Sequence, residues 1–272
     1  MNAGDIGNTK NFMLEDNYKN HRIFESLKSL SKFYDNLSYS TMSFLTHGVE
    51  NIFNIDANIY SSMQGTVESI HDILGKGRIN DAYALLRKYY DSVMINIYQT
   101  LVLESFHFNT SSINEKINNW VHAKERLPEY RVISQYIRNS DNLKELNKIL
   151  IENDNYKQIR ERCNDHTHYN YFHFTVLNDN EVYIKNRSYY LHQFNDDIEN
   201  LFIMHIIYVF YLKGQYMMGS DYIDSLELGI VPEENSQYFV AAFIQDILNS
   251  LVKKKRPDLY NFLKEKSFMF IE

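Results

Sequence analysis

The sequence predicts a mostly α-helical bundle with one small β-hairpin. Three observations carry that prediction. Only 9 Gly and 3 Pro punctuate 272 residues, too few for the many turns of an all-β fold. Apolar residues recur at helical spacing over most of the length. One stretch alone alternates as a pair of strands would. The hydrophobic fraction is 44%, enough to bury a large core at this length.

The elements follow in order. Residues 1–18 are polar and read as a flexible N-terminus, and 19–272 read as a single helical domain. Between Tyr18 and His47, the positions Ile23, Leu27, Leu30, Tyr34 and Leu37 keep a helical period. The run from Ile52 through Ile59, Val67 and Leu74 continues it, until Gly75-Lys-Gly-Arg78 breaks the helix. Residues 81–103 form the most apolar helix, hydrophobic nearly all round and therefore central to a bundle. Asp81 stands where a cap is needed. Ser111-Ser-Ile-Asn-Glu115 resembles a capping box and opens a helix that carries Trp120. Pro128 interrupts, and short helices are expected over 130–138 and 141–153. A polar segment on a helix from Tyr156 comes next. The alternation of Tyr171–Ile184 around Asn178-Asp-Asn180 then predicts the hairpin, near 171–184. Helices over 194–218, 236–252 and onward from Pro257 complete the chain.

Several function classes lose support from composition. The net charge is −7, so nucleic acid would have to be held by a local patch. Lys253-Lys-Lys-Arg256, with Lys76 and Arg78, supplies cations for such a patch; the plainer reading of the run is a solvated helix C-terminus. The single Cys163 excludes an internal disulfide framework and lacks triad partners for a nucleophile. It fits a reducing, cytoplasmic setting. No secretory signal is expected in residues 1–20, and Leu201–Met218 contains His205, Lys213 and Gln215, so it reads as a buried helix and not a membrane span. Walker, dinucleotide-binding and HExxH motifs are missing, so no cofactor is predicted. Asp165, His166, His168 and His173 could in principle chelate a metal, but on a helix the two rings of His-x-His diverge, and no metal is assigned.

The chemically loaded stretch is Arg160-Glu-Arg-Cys-Asn-Asp-His-Thr-His-Tyr-Asn170. On a helix, Arg162, His166 and Asn170 share one face, while Arg160 and Asn164 lie on a neighbouring one. Glu161, Asp165 and His168 form a third stripe. An Arg beside a His suits metal-free phosphodiester cleavage: the His moves a proton and the Arg steadies the negative phosphorane. The plainer reading is a solvated helix face in which Arg162 and His166 pair with Asp165 and Glu161. In the most apolar helix, Arg87 and Asp91 are spaced for an i,i+4 ion pair. Arg87 has a second reading, in which it faces the loaded segment and orients it or binds phosphate.

The pattern Arg160-Glu161-Arg-Cys-Asn-Asp-His166 resembles the short Arg–polar–His motif of the HEPN superfamily, and the polar crowd around Cys163 is similar to its abortive-infection branch. The resemblance implies a helical bundle and a metal-independent endoribonuclease, a toxin or phage-defence effector. It implies an RNA substrate, a homodimer with a composite cleft, and an antitoxin or defence-system partner. Within it His166 is the general acid/base, Arg160 holds phosphate and Glu161 orients its neighbours. Arg162, Asn164, Asp165, His168, Arg87 and Asp91 are then auxiliary. Glu161 departs from the usual polar follower, and Arg162 with His168 offers a competing register. The alternative is a non-catalytic helical interaction module, an inactive relative or a partner-binding protein.

Overall fold

The computed structural model describes residues 15–43, 55–104, 115–151, 155–178 and 187–272. Helix dominates it. In order the helices are α1 (Asp16–Lys19), α2 (Ile23–Ser43), α3 (Ile55–Gly75), α4 (Ile79–Glu104), α5 (Glu115–Val121), α6 (Tyr130–Arg138), α7 (Lys144–Ile151), α8 (Asn155–Thr167), α9 (Phe172–Val176), α10 (Arg187–Leu212), α11 (Ser220–Glu227), α12 (Ala242–Ile247), α13 (Lys253–Lys255) and α14 (Pro257–Lys266). A π-helical turn, Leu248–Val252, joins α12 to α13. None of the described helices is long and apolar enough to cross a membrane.

The chain forms two compact units. The first holds Met1–Tyr34, Ser61–Val93 and Asn153–Phe202; the second holds Asp35–Tyr60, Met94–Glu152 and Ile203–Glu272. In the first unit, the apolar stripes predicted for α2 and α3 are buried: Leu27, Leu30, Val67, Ile70 and Leu74 are 2% exposed or less. Tyrosines complete this core with satisfied hydroxyls, as buried tyrosine requires. Tyr34 and Tyr89 share a hydroxyl–hydroxyl bond of 2.7 Å, and Phe202 meets the Phe33 ring edge-on at 4.9 Å. The chain is already anchored at Tyr18, whose hydroxyl donates to the Leu74 carbonyl at 2.7 Å.

The break at Gly75–Arg78 is a Schellman cap. Gly77 takes φ +73°, and the Arg78 and Gly77 amides donate to Ile73 (3.1 Å) and Leu74 (2.8 Å) carbonyls. α4 therefore starts at Ile79, before Asp81. Asp81 lies in its first turn, where Asn178 answers it: the Asn178 amide donates to the Asp81 carboxylate at 2.5 Å and accepts from the Asp81 N–H at 3.3 Å. Of the predicted capping box over 111–115, only Glu115 falls among the described residues, as the first residue of α5.

The second unit encloses a polar core. The Asp56 carboxylate accepts from Asn96 Nδ2 at 2.8 Å, from Tyr216 at 3.0 Å and from Gln99. His205 Nε2 donates to the Asn96 carbonyl at 2.9 Å. His205 is 1% exposed, and burial lowers its pKa to about 3, so it is neutral.

The predicted hairpin is corrected. Residues Phe172–Val176 form a helical turn, in which Phe174 N–H donates to Tyr171 O at 3.0 Å and Leu177 N–H to Phe174 O at 3.2 Å. Val176 and Leu177, adjacent in sequence, are both buried, which an alternating strand would not do. Residues 179–184 of the predicted hairpin lie outside the described residues. Among the described residues the β-pairing consists of isolated bridges, Met218 with Val240 and Phe239 with Phe270.

Candidate functional site

The loaded segment runs along α8 to Thr167 and on into its C-terminal cap, and belongs, with all its contacts given below, to the first unit. α8 buries Ile159, Cys163 and His166, an i, i+4, i+7 stripe. The polar residues flank this stripe and divide between two neighbouring helices.

On one flank, α8 faces α4. Arg160 Nη1 donates to Asp91 Oδ1 at 2.6 Å, and its guanidinium lies 5.6 Å from the Tyr90 ring centre. Arg87 Nε reaches the other Asp91 oxygen at 3.3 Å, while Arg87 Nη1 donates to the Asn164 carbonyl. One carboxylate thus joins two guanidiniums. The i,i+4 pair of Arg87 with Asp91 is present, and Arg87 also touches the segment at Asn164. These side chains are only partly covered, Asp91 at 40% exposure.

On the other flank, Arg162 makes a two-pronged pair with Asp197 of α10, at 2.9 and 2.5 Å. Asp197 is 3% exposed and also accepts from the Tyr83 hydroxyl at 3.5 Å. Burial pushes its carboxyl up, and the Arg162 guanidinium opposes that shift. The geometry is a fork-on-carboxylate arrangement, two donors of one guanidinium on the two oxygens of one carboxylate.

His166 lies in the buried stripe at 1% exposure. Its ring stacks on Tyr83 at 3.9 Å and 12°, with Phe174 at 3.9 Å and 34° on its surface as well. Its Nδ1 is 2.8 Å from the Asn80 side-chain oxygen, which accepts. Burial, then the neighbouring His173 and Arg162, lower its pKa to about 3. A ring so held is neutral and buried. Cys163 is equally enclosed, and burial raises its thiol to about 12.

The remaining site residues face outward. Glu161 and His168 are exposed. Asp165 accepts from Asn170 Nδ2 at 2.7 Å across the end of the helix. That end is a Schellman cap: Asn170 N–H donates to Asp165 O at 3.0 Å and Tyr169 N–H to His166 O at 3.4 Å. Its left-handed residue is Tyr169, φ +51°, where glycine is usual. No group of three or more His, Cys, Asp or Glu among the described residues is placed to hold a metal ion.

Arg160 and His166 are therefore not brought together; one is paired at a flank, the other is enclosed. Sequence reasoning missed Asn80, Tyr83, Phe174 and Asp197, the groups that hold the segment. Asp197 had a signal, an acid at the start of a long apolar run. The histidine cage had none, because Asn80 and Tyr83 belong to a distant helix. A cleft of about 750 Å³ in the second unit is lined by Arg138, Lys144 and Lys148 among others, and by no residue of the 160–170 segment. No protein family, curated protein or solved structure matches the chain.

Proposed function

We propose that the chain is a non-catalytic helical interaction module, a HEPN-like relative in which the Arg–His segment serves as framework. The sequestration of His166 carries this reading. A general acid/base must reach the proton it moves, and needs a pKa near the working pH. His166 is stacked, bonded to Asn80 and shifted to about 3. Arg160 is engaged with Asp91 in the same way. The exposed aromatic side chains that follow, Tyr169, Tyr171 and Phe172, are of the kind that interfaces use.

The test is incubation of purified protein with single-stranded RNA in EDTA. Wild type should leave the RNA intact. Cleavage that disappears in a folded His166→Ala variant would overturn the proposal.

A second reading, the metal-independent endoribonuclease with an RNA substrate, a homodimer and a toxin or defence role, draws on a separate observation. His168 is exposed at the end of α8, free of the enclosure that removes His166 from solvent. Cleavage in EDTA that is lost in His168→Ala and kept in His166→Ala would establish it, and would fix the Arg162/His168 register.

A further inference from the structure

The second unit carries an acidic surface with apolar residues set into it. Residues 214–252 contain no Lys, Arg or His. Asp221, Asp224, Glu227, Glu233, Glu234 and Asp246 within that stretch are all exposed. Among them Leu226, Leu228, Ile230 and Val231 stand 53%, 74%, 58% and 89% exposed. α11 itself buries no residue. Scattered single apolar side chains on a surface need no explanation, but four within six positions do.

This is not a loose strand of chain. Gly229, at φ +67°, closes a Schellman cap on α11: Ile230 N–H donates to Ser225 O at 2.8 Å and Gly229 N–H to Leu226 O at 3.1 Å. Such caps usually place an apolar C″ residue against an apolar residue of the last turn. Here the C″ residue is Ile230 and the position it would cover is Ser225. The cap therefore fixes the backbone as far as Ile230, and the position Ile230 would cover is polar.

We propose that this surface docks a cationic amphipathic segment of a partner protein. The partner's apolar residues cover Leu226–Val231, and its Lys or Arg residues meet Asp224, Glu227 and Glu233. Charge selects the class. A stretch whose exposed charges are all acids repels phosphate, in nucleic acid or in an anionic lipid surface, and attracts cations. A second copy of this chain is a poor occupant. Each copy carries net charge −7, and two of the four cations in its basic run are engaged at home: Arg256 pairs with Asp258 at 2.6 Å, and Lys253 lies 5.0 Å from the Tyr260 ring centre.

The proposal gives the interaction module its partner class and rests on that reading. Its test uses the full chain and fluorescence anisotropy. The probes are a labelled Leu/Lys amphipathic helical peptide and a Leu/Glu peptide of the same spacing. The Leu/Lys peptide should bind and the Leu/Glu peptide should not. Leu228→Ser with Val231→Ser should weaken binding about tenfold, with melting temperature unchanged because both side chains are exposed. Asp224→Lys with Glu227→Lys should weaken it as much and flatten its salt dependence. Absence of binding, or equal binding by wild type and both variants, overturns the proposal. So does a wild-type dimer that the Leu228→Ser/Val231→Ser variant converts to monomer, which would make the occupant a second copy. RNA cleavage in EDTA would remove the interaction-module reading and leave the peptide result standing. Lost peptide binding without cleavage removes only the docking surface.

Discussion

Lowering the pH should cost this protein stability, and His166 and His205 should set much of the slope. Both rings are 1% exposed and held neutral, with pKa lowered from 6.5 to about 3. A histidine with a depressed native pKa binds fewer protons in the folded state than in the unfolded one. Its contribution is complete above 6.5 and is lost as pH falls toward 3. For one such group, the loss between pH 7.5 and 5 is about 2 kcal/mol by proton linkage. The pair therefore accounts for about 4 kcal/mol, a large share of a typical folding free energy. The diagnostic perturbation is His166→Phe, which keeps the stacks on Tyr83 and Phe174 and removes the titrating nitrogen. It leaves the Asn80 oxygen without its donor, at a cost of about 1–3 kcal/mol. That cost is constant with pH, so the slope is the readout. Urea unfolding followed by circular dichroism at several pH values should show the variant losing about 2 kcal/mol less than wild type between pH 7.5 and 5. The carboxylates contribute equally to both proteins and cancel in the difference. An unchanged slope, or a His166 ring resonance that titrates near 6.5, would refute the enclosure on which the non-catalytic reading stands.

Two further outcomes follow from the same helix. Asp197→Ala should cost about 2–4 kcal/mol, because it strands a partly buried guanidinium, whereas Arg162→Met with Asp197→Leu should fall within about 1 kcal/mol of wild type; additive single and double variants in a denaturation cycle would show that the pair is uncoupled. Tyr169→Gly should stabilise by about 0.5–1 kcal/mol, since the left-handed backbone at φ +51° penalises a side chain. A lower urea midpoint in that variant would mean that the half-exposed ring earns more by packing than the backbone loses.

What the sequence revealed depended on range. α4 was legible because its apolar period is long, and Tyr83, Leu86, Tyr89 and Val93 are all fully buried. The hairpin was misread over a span too short to separate two periods: Tyr171–Leu177 mixes aromatic and β-branched residues, and only backbone bonding tells a helical turn from a strand. In the loaded segment, the shared flank of Arg160 and Asn164 was legible from the 3.6-residue period, and so was the Arg87–Asp91 pair; the end of the helix at Thr167 was not, and it takes His168 and Asn170 off the faces expected of them. The environment of His166 was not. Its partners come from positions 80, 83 and 174, and nothing local in Asn-Asp-His-Thr-His distinguishes a histidine that turns inward from its exposed neighbour at 168.

The reciprocal clasp of Asn178 on Asp81 has a practical use. The chain is pinned there by two hydrogen bonds, and Arg187 pins it again by donating to the Gly77 and Leu177 carbonyls at 2.7 and 3.4 Å. Both sets of bonds fall on the same capped corner, Gly77–Asp81, so one substitution there, Gly77→Ala at its left-handed φ of +73°, reports on how far the hold on Asn178 and Arg187 depends on that turn.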